Sequence, residues 1–189
     1  MKDPLIVSAD LRTPMGVNFV LQVTAAEQLH NAILALISPD LYWKGFQVIQ
    51  NLLNGDVLLD NAHSIDVWNS AFSAWQIISN RATPAHCDMG AAPMVYDLLT
   101  CAGTYNHCIF HVHDLEARFC YNVGTVVALC GKVLLHEVKR WEGGERICIA
   151  HYMRDNVHDR LGIARPSWPI MDDKYWSLMT PEFRMSHGL

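Results

Sequence analysis

The spacing of apolar residues changes period at about residue 68 of the 189-residue chain. Before that point the period is helical. Residues 24–37 (TAAEQLHNAILALI) put Leu29, Ile33, Leu36 and Ile37 on one stripe, with Thr24 as a candidate cap and Glu27 three positions on. Residues 39–53 repeat the pattern through Leu41, Phe46, Ile49 and Leu53, and Pro39 suits a first helical turn. Both helices are expected to act as scaffold against one face of a sheet.

Beyond residue 68, short runs rich in Val, Ile, Phe, Tyr and Cys alternate with turn residues, the texture of an antiparallel sheet. The expected strands are 72–79, 84–88, 105–112, 118–121, 125–130, 133–139 and 146–153. Turns are signalled at Ala102-Gly103, Asn122-Val123-Gly124, Gly131-Lys132 and Gly143-Gly144. This pattern predicts a mainly β fold with flanking α, a jelly roll or closed sandwich buttressed by N-terminal helices. No repeat or linker interrupts it, so one domain is expected over 1–189. It comprises a helical front at about 20–55, a barrel core at about 70–155 and a packing segment at 156–189, with Trp168 and Trp176 against the barrel.

Composition narrows the class only slightly. Half of the chain is apolar (51%) and 17% is charged, which suits a folded domain rather than a disordered one. No apolar run reaches the roughly 18 residues of a membrane span, and no signal peptide is visible, so an intracellular location is expected. The net charge of −5 offers no basic footprint for a nucleic acid, though a local patch fits inside an acidic total. The six cysteines (Cys87, Cys101, Cys108, Cys120, Cys130, Cys148) contain no CxxC pair and read as free thiols. Histidine stands out, with ten residues, eight of them from His86 onward.

Three elements carry candidate chemistry. In a strand, residues two apart share a face, so His86 and Asp88 of His-Cys-Asp can reach one metal ion. His136 lies fifty residues on, on another expected strand. Two imidazoles and a carboxylate on one side of an octahedral ion leave three positions open, which suits Fe(II) with a bidentate co-substrate and dioxygen. Arg146 follows ten residues later. Its forked guanidinium matches a carboxylate, and a neighbouring strand would set it at the reach of 2-oxoglutarate. That placement requires an odd-length Glu142-Gly143-Gly144 loop with a glycine in the left-handed region, if Arg146 is to share the inner face with His136.

His86, Asp88, His136 and Arg146, in this order, resemble the 2-oxoglutarate/Fe(II)-dependent dioxygenases. The stretches NRATPAHCDMG, YNVGTVVALCG and HEVKRWEGGERICIAHYM resemble the TET/JBP branch, especially its fungal members. The resemblance implies a double-stranded β-helix that binds Fe(II), 2-oxoglutarate and O2 and oxidises a C–H bond. In that branch the bond belongs to a methyl group on a DNA base, 5-methylcytosine or N6-methyladenine, turned out of the duplex. It carries a second co-substrate contact onto Arg81, five residues before His86. Where relatives have Arg-x-Ser, this chain has Arg146-Ile147-Cys148, which makes Cys148 a weaker anchor for the far carboxylate. A DNA substrate would place the protein in the nucleus.

Candidate substrate residues are Asn80, Tyr96, Asp97 and Tyr121, with His151 and Arg154 near the barrel mouth. His107, His111 and His113 form a further cluster: HxH at 111 and 113 suits a metal, or a strand edge with no ligand. Two other functions fit a jelly roll. One is a 2-oxoglutarate-dependent hydroxylase of a protein side chain or metabolite, and the other is a non-catalytic binding module.

Overall fold

Eight strands divide into two four-stranded antiparallel sheets in the computed structural model, which describes residues 5–54 and 63–167. They are β1 (Ala74–Ser79), β2 (Thr83–His86), β3 (Asp97–Gly103), β4 (Ile109–Val112), β5 (Ala117–Cys120), β6 (Val126–Leu129), β7 (His136–Val138) and β8 (Arg146–Tyr152). One sheet runs β1-β8-β3-β6 and the other β2-β7-β4-β5, so the chain crosses repeatedly between the two. This is the expected jelly roll, with inward side chains of both sheets forming a core around Tyr105, Phe110, Val112, Tyr121 and Val138. The expectation for Trp168 and Trp176 lies outside the described residues.

Among the described residues four α-helices precede the sheets: α1 (Pro14–Gln22), α2 (Thr24–Ile37), α3 (Pro39–Asn54) and the short α4 (His63–Asp66). A fifth, α5 (Asp155–Leu161), follows β8 and ends on Gly162 in the left-handed region. No single helix among the described residues is long and apolar enough to cross a membrane.

Of the α2 stripe expected from the sequence, Ile33 packs against the core but Ile37 does not. Leu29 and Leu36 are exposed, and the buried face is Glu27, His30 and Leu34. Thr24 does not cap α2 either; its hydroxyl donates to the Leu21 carbonyl (2.8 Å), because α2 follows α1 with only Val23 between them. Glu27 is therefore free of capping and points inward. It accepts from His151 Nε2 of β8 (2.7 Å) and His30 Nδ1 (3.0 Å), while His30 Nε2 accepts from the Thr100 hydroxyl of β3 (2.9 Å). A polar bridge thus fastens the helical layer to the β1-β8-β3-β6 sheet. In α3 the buried face is Leu41, Gly45, Val48, Ile49 and Leu52, so Leu41 and Ile49 pack as expected while Phe46 and Leu53 are exposed.

Two strand expectations are corrected. Strand β3 (DLLTCAG) was absent from the expected set because Leu, Ala and Gly are weak strand formers. It is nonetheless a central strand paired on both sides, to β6 and β8. Nor do β7 and β8 form a hairpin, since they belong to opposite sheets. Gly143 does take a left-handed conformation (φ 66°), but in a crossover between sheets. Arg146 therefore faces His136 across the barrel instead of sitting on its neighbouring strand.

Candidate metal and co-substrate site

His86 ends β2 and pairs in register with His136, the first residue of β7. Their rings lie 4.4 Å apart, centroid to centroid. Asp88 sits just past β2, its backbone N–H bonded to the Gly131 carbonyl (2.9 Å). Its Oδ1 is 3.4 Å from His86 Nε2 and its Oδ2 is 3.7 Å from His136 Nε2. One donor atom from each residue lies within 4.8 Å of the others.

The histidines are oriented by the same local device. Nδ1 of His86 donates to the Pro84 carbonyl and Nδ1 of His136 to the Leu134 carbonyl, both at 2.8 Å. A carbonyl only accepts, so the proton sits on Nδ1 and the Nε2 lone pair is turned toward the shared space. Burial also moves the His136 imidazole below its ordinary range, favouring the neutral, ligating form. Gly131 closes the far side: a Cβ there would run into the carboxylates of Asp88 and Asp97. Asp97 is buried beside Asp88; desolvation first, and then the charge of Asp88, push its carboxyl up to about 8.

Across a cavity of about 260 Å³ stands Arg146, 1% exposed. Its Nη1 donates to the Arg81 carbonyl (3.3 Å), and its Nε is buried with no hydrogen-bond partner. The Tyr121 and Trp141 rings flank the guanidinium at 5.5 and 5.7 Å. Among the described residues no carboxylate pairs with it. The nearest groups able to offset its charge are thiols: Cys101, hydrogen-bonded by its cross-strand neighbour Cys148 and opposed by its own burial, is drawn down to about 6. Arg146 lines the cavity, and a buried guanidinium with no carboxylate partner among the described residues is a receptor for an anion.

Strand parity decides which other residues share this cavity. On β8 the inward set is Arg146, Cys148, Ala150 and Tyr152. His151 therefore points away, fully buried against Glu27 and the ring of Phe72, and its assignment to the barrel mouth is corrected. Asn80 is also outside the lining; its Oδ1 accepts from the Arg146 backbone N–H (2.9 Å), which holds the start of β8. Tyr96 is outside as well.

Arg81, Asp97, Tyr121 and Arg154 do line the cavity, Tyr121 at the Arg146 end with its hydroxyl 3.5 Å from Cys148 Sγ. Tyr152 and Gln76 line it too and escaped the sequence reading. For Tyr152 the signal was present, six residues from Arg146 on one strand. At the mouth the Arg154 guanidinium lies 5.4 Å from the Tyr152 ring centroid.

The chain matches the family model of the TET/JBP oxygenase domain of the 2-oxoglutarate/Fe(II) dioxygenase superfamily over residues 2–155. Among solved structures it is similar to NgTET1 in complex with 5-methylcytosine DNA. The TM-score is 0.58 at 15% sequence identity, over 92% of this chain and 62% of that one, so the chain spans under two thirds of that structure's length. No curated protein matches.

Proposed function

From the premise that this chain belongs to the TET/JBP oxygenase family and is a 2-oxoglutarate-dependent dioxygenase, we propose that it oxidises a methyl group on a DNA base. In this reading His86, Asp88 and His136 hold Fe(II). The donor set fits, with two Nε2 lone pairs and a carboxylate converging from two backbone segments. Bound iron supplies the redox chemistry by which dioxygen and 2-oxoglutarate oxidise a C–H bond.

The single observation that carries the co-substrate assignment is Arg146, buried on the cavity wall with no carboxylate partner among the described residues. The far carboxylate of 2-oxoglutarate would bond this fork and neutralise a charge that no carboxylate among the described residues compensates. Arg81 would assist the carboxylate nearer the metal. Cys148, a weaker donor than serine, adds shape more than hydrogen bonding at the anchor. The sheet-facing residues Ile78, Leu99 and Phe110 keep the inner wall apolar and limit water there.

Support for a base as substrate comes from the mouth. The Arg154 guanidinium lies over the Tyr152 ring and donates to its hydroxyl (3.3 Å), an aromatic ring and a cation of the kind that receives an extruded base and a nearby phosphate. NgTET1, similar in fold, was solved with methylated DNA.

The test has two stages. Metal-free protein should bind Fe(II) and 2-oxoglutarate without oxygen, then release succinate when oxygen is admitted; failure to bind either would favour the non-catalytic module. Methylated DNA should then yield oxidised 5-methylcytosine or N6-methyladenine by mass spectrometry. Succinate release that no methylated DNA accelerates would sink the base assignment and leave the oxygenase intact. Asp88→Ala should lose iron, measured by metal content, and turnover together, because two imidazoles alone hold the ion weakly.

A further inference from the structure

Outside this cavity, the outer face of the β2-β7-β4-β5 sheet carries the histidines that the oxygenase chemistry leaves unused. His111 of β4 and Glu137 of β7 are register partners, so their side chains share a face. Because side chains alternate, that face is opposite to the one presenting His136. His113 follows directly after β4 and is pinned there: its N–H bonds the Leu135 carbonyl (2.8 Å), and Leu135 N–H bonds Asp114 Oδ2 (2.6 Å).

Three nitrogens converge on one carboxylate oxygen. Glu137 Oε1 lies 3.2 Å from His111 Nδ1, 3.1 Å from His113 Nε2 and 3.0 Å from Lys139 Nζ. The two rings are 3.9 Å apart. Although close to Glu137, His113 Nε2 makes no hydrogen bond of acceptable geometry and is shielded from solvent. One oxygen has too few lone pairs to serve three donors well, and a buried ring nitrogen is left over.

A metal ion resolves this crowding. Ligands held at roughly 2.0–2.1 Å in a tetrahedral zinc site stand roughly 3.3–3.4 Å from one another. The observed 3.1 and 3.2 Å separations are already close to those edges. One donor from each of the three residues lies within 4.8 Å of the others. Lys139 then reads as a stand-in cation: its side chain is 73% exposed, so it can leave for solvent when a divalent ion arrives, whereas the Glu137 side chain is 5% exposed and stays.

We infer that His111, His113 and Glu137 form a second metal site for a borderline divalent ion of the zinc class, with a fourth position open to water. Two imidazoles and a carboxylate without a thiolate match that class. The ion would tie the end of β4 to β7, the strand whose first residue, His136, faces the first site. Its role is to hold that strand in place.

The proposal is independent of what occupies the inner site, and the experiment keeps the two apart. Chelator-stripped His86→Ala/Asp88→Ala protein, checked for folding by circular dichroism, is titrated with Zn2+ and, separately, with Co2+ followed by visible absorption. One equivalent should bind and raise the melting temperature. Adding His113→Ala should weaken it at least tenfold, as should Glu137→Gln. Lys139→Met should tighten it by removing the competing cation. In the wild type the same site appears as a second equivalent that His113→Ala removes, so the count stands even if the double variant fails to fold. No zinc equivalent in the folded double variant, or one that His113→Ala and Glu137→Gln leave within threefold, overturns the site.

Discussion

Replacing Glu27 with glutamine should destabilise the protein by about 3 kcal/mol near neutral pH. Glu27 is 2% exposed, and its Oε1 receives both His151 and His30. The other ring nitrogen of His151 faces the Leu98 carbonyl at 3.3 Å. Glutamine keeps an acceptor but removes the carboxylate charge that strengthens both hydrogen bonds.

Two routes give the magnitude. A hydrogen bond to a charged group contributes ~1.5–3 kcal/mol, and the Glu27 carboxylate receives two. Separately, burial alone would raise the Glu27 carboxyl, yet the hydrogen bonds from His151 and His30 overcome it and hold the group at about 2 against an ordinary 4.5. At about 1.36 kcal/mol per pH unit, that difference is worth about 3 kcal/mol. For a domain of this size the melting temperature should fall by roughly 6–12 °C.

The pH dependence follows from the depressed value. Its stabilisation is fully present above pH 4.5 and is lost as pH falls from about 4.5 toward about 2. Urea denaturation of wild type and Glu27→Gln across pH 7 to 3 should therefore give curves that converge on the acid side. A variant within about 0.5 kcal/mol of wild type at pH 7, the size of an ordinary surface change, refutes the bridge. So does a gap that stays constant down to pH 3.

Arg146→Ala should retain iron by metal analysis but weaken 2-oxoglutarate in anaerobic calorimetry by ~2–5 kcal/mol, the penalty for leaving the co-substrate carboxylate unpaired. Unchanged affinity would move the anchor to Arg154. Gly131→Ala should lower iron affinity by about 10–100-fold, since its Cβ would displace Asp88 and Asp97; equal iron loading in equilibrium dialysis would refute the close approach. Tyr152→Ala should weaken methylated-DNA binding by ~1–3 kcal/mol of lost stacking while Tyr152→Phe leaves it unchanged, measured by fluorescence anisotropy. Equal losses in both variants would point to the hydroxyl instead.

Much of the inner site could be read from one dimension because its parts are short and local. His-Cys-Asp sits at the end of one strand, each histidine is aimed by a carbonyl two residues back, and Arg146 differs from every other arginine in its spacing from His136. Parity along β8 was also legible. Applied from Arg146, it selects Tyr152 and excludes His151. Strand β3 was not, since a central strand packed on both faces shows no alternation of apolar and polar residues.

The chain's own order of residues determined the helical front, most of the strands, the donor types and their order along the chain. These depend on period and local geometry, which neighbouring residues set among themselves. The folded structure alone decided which sheet each strand joined, so Arg146 came to face His136 across a barrel and not beside it. It also decided which stripe of α2 was buried. Leu29 and Leu36 are the more hydrophobic pair, but Glu27 and His30 meet partners on β8 and β3, and a buried polar group is stable wherever tertiary neighbours complete its hydrogen bonds. The convergence of His111, His113 and Glu137 has the same origin: the twenty-four residues from His113 to Glu137 are brought together only by the pairing of β4 with β7.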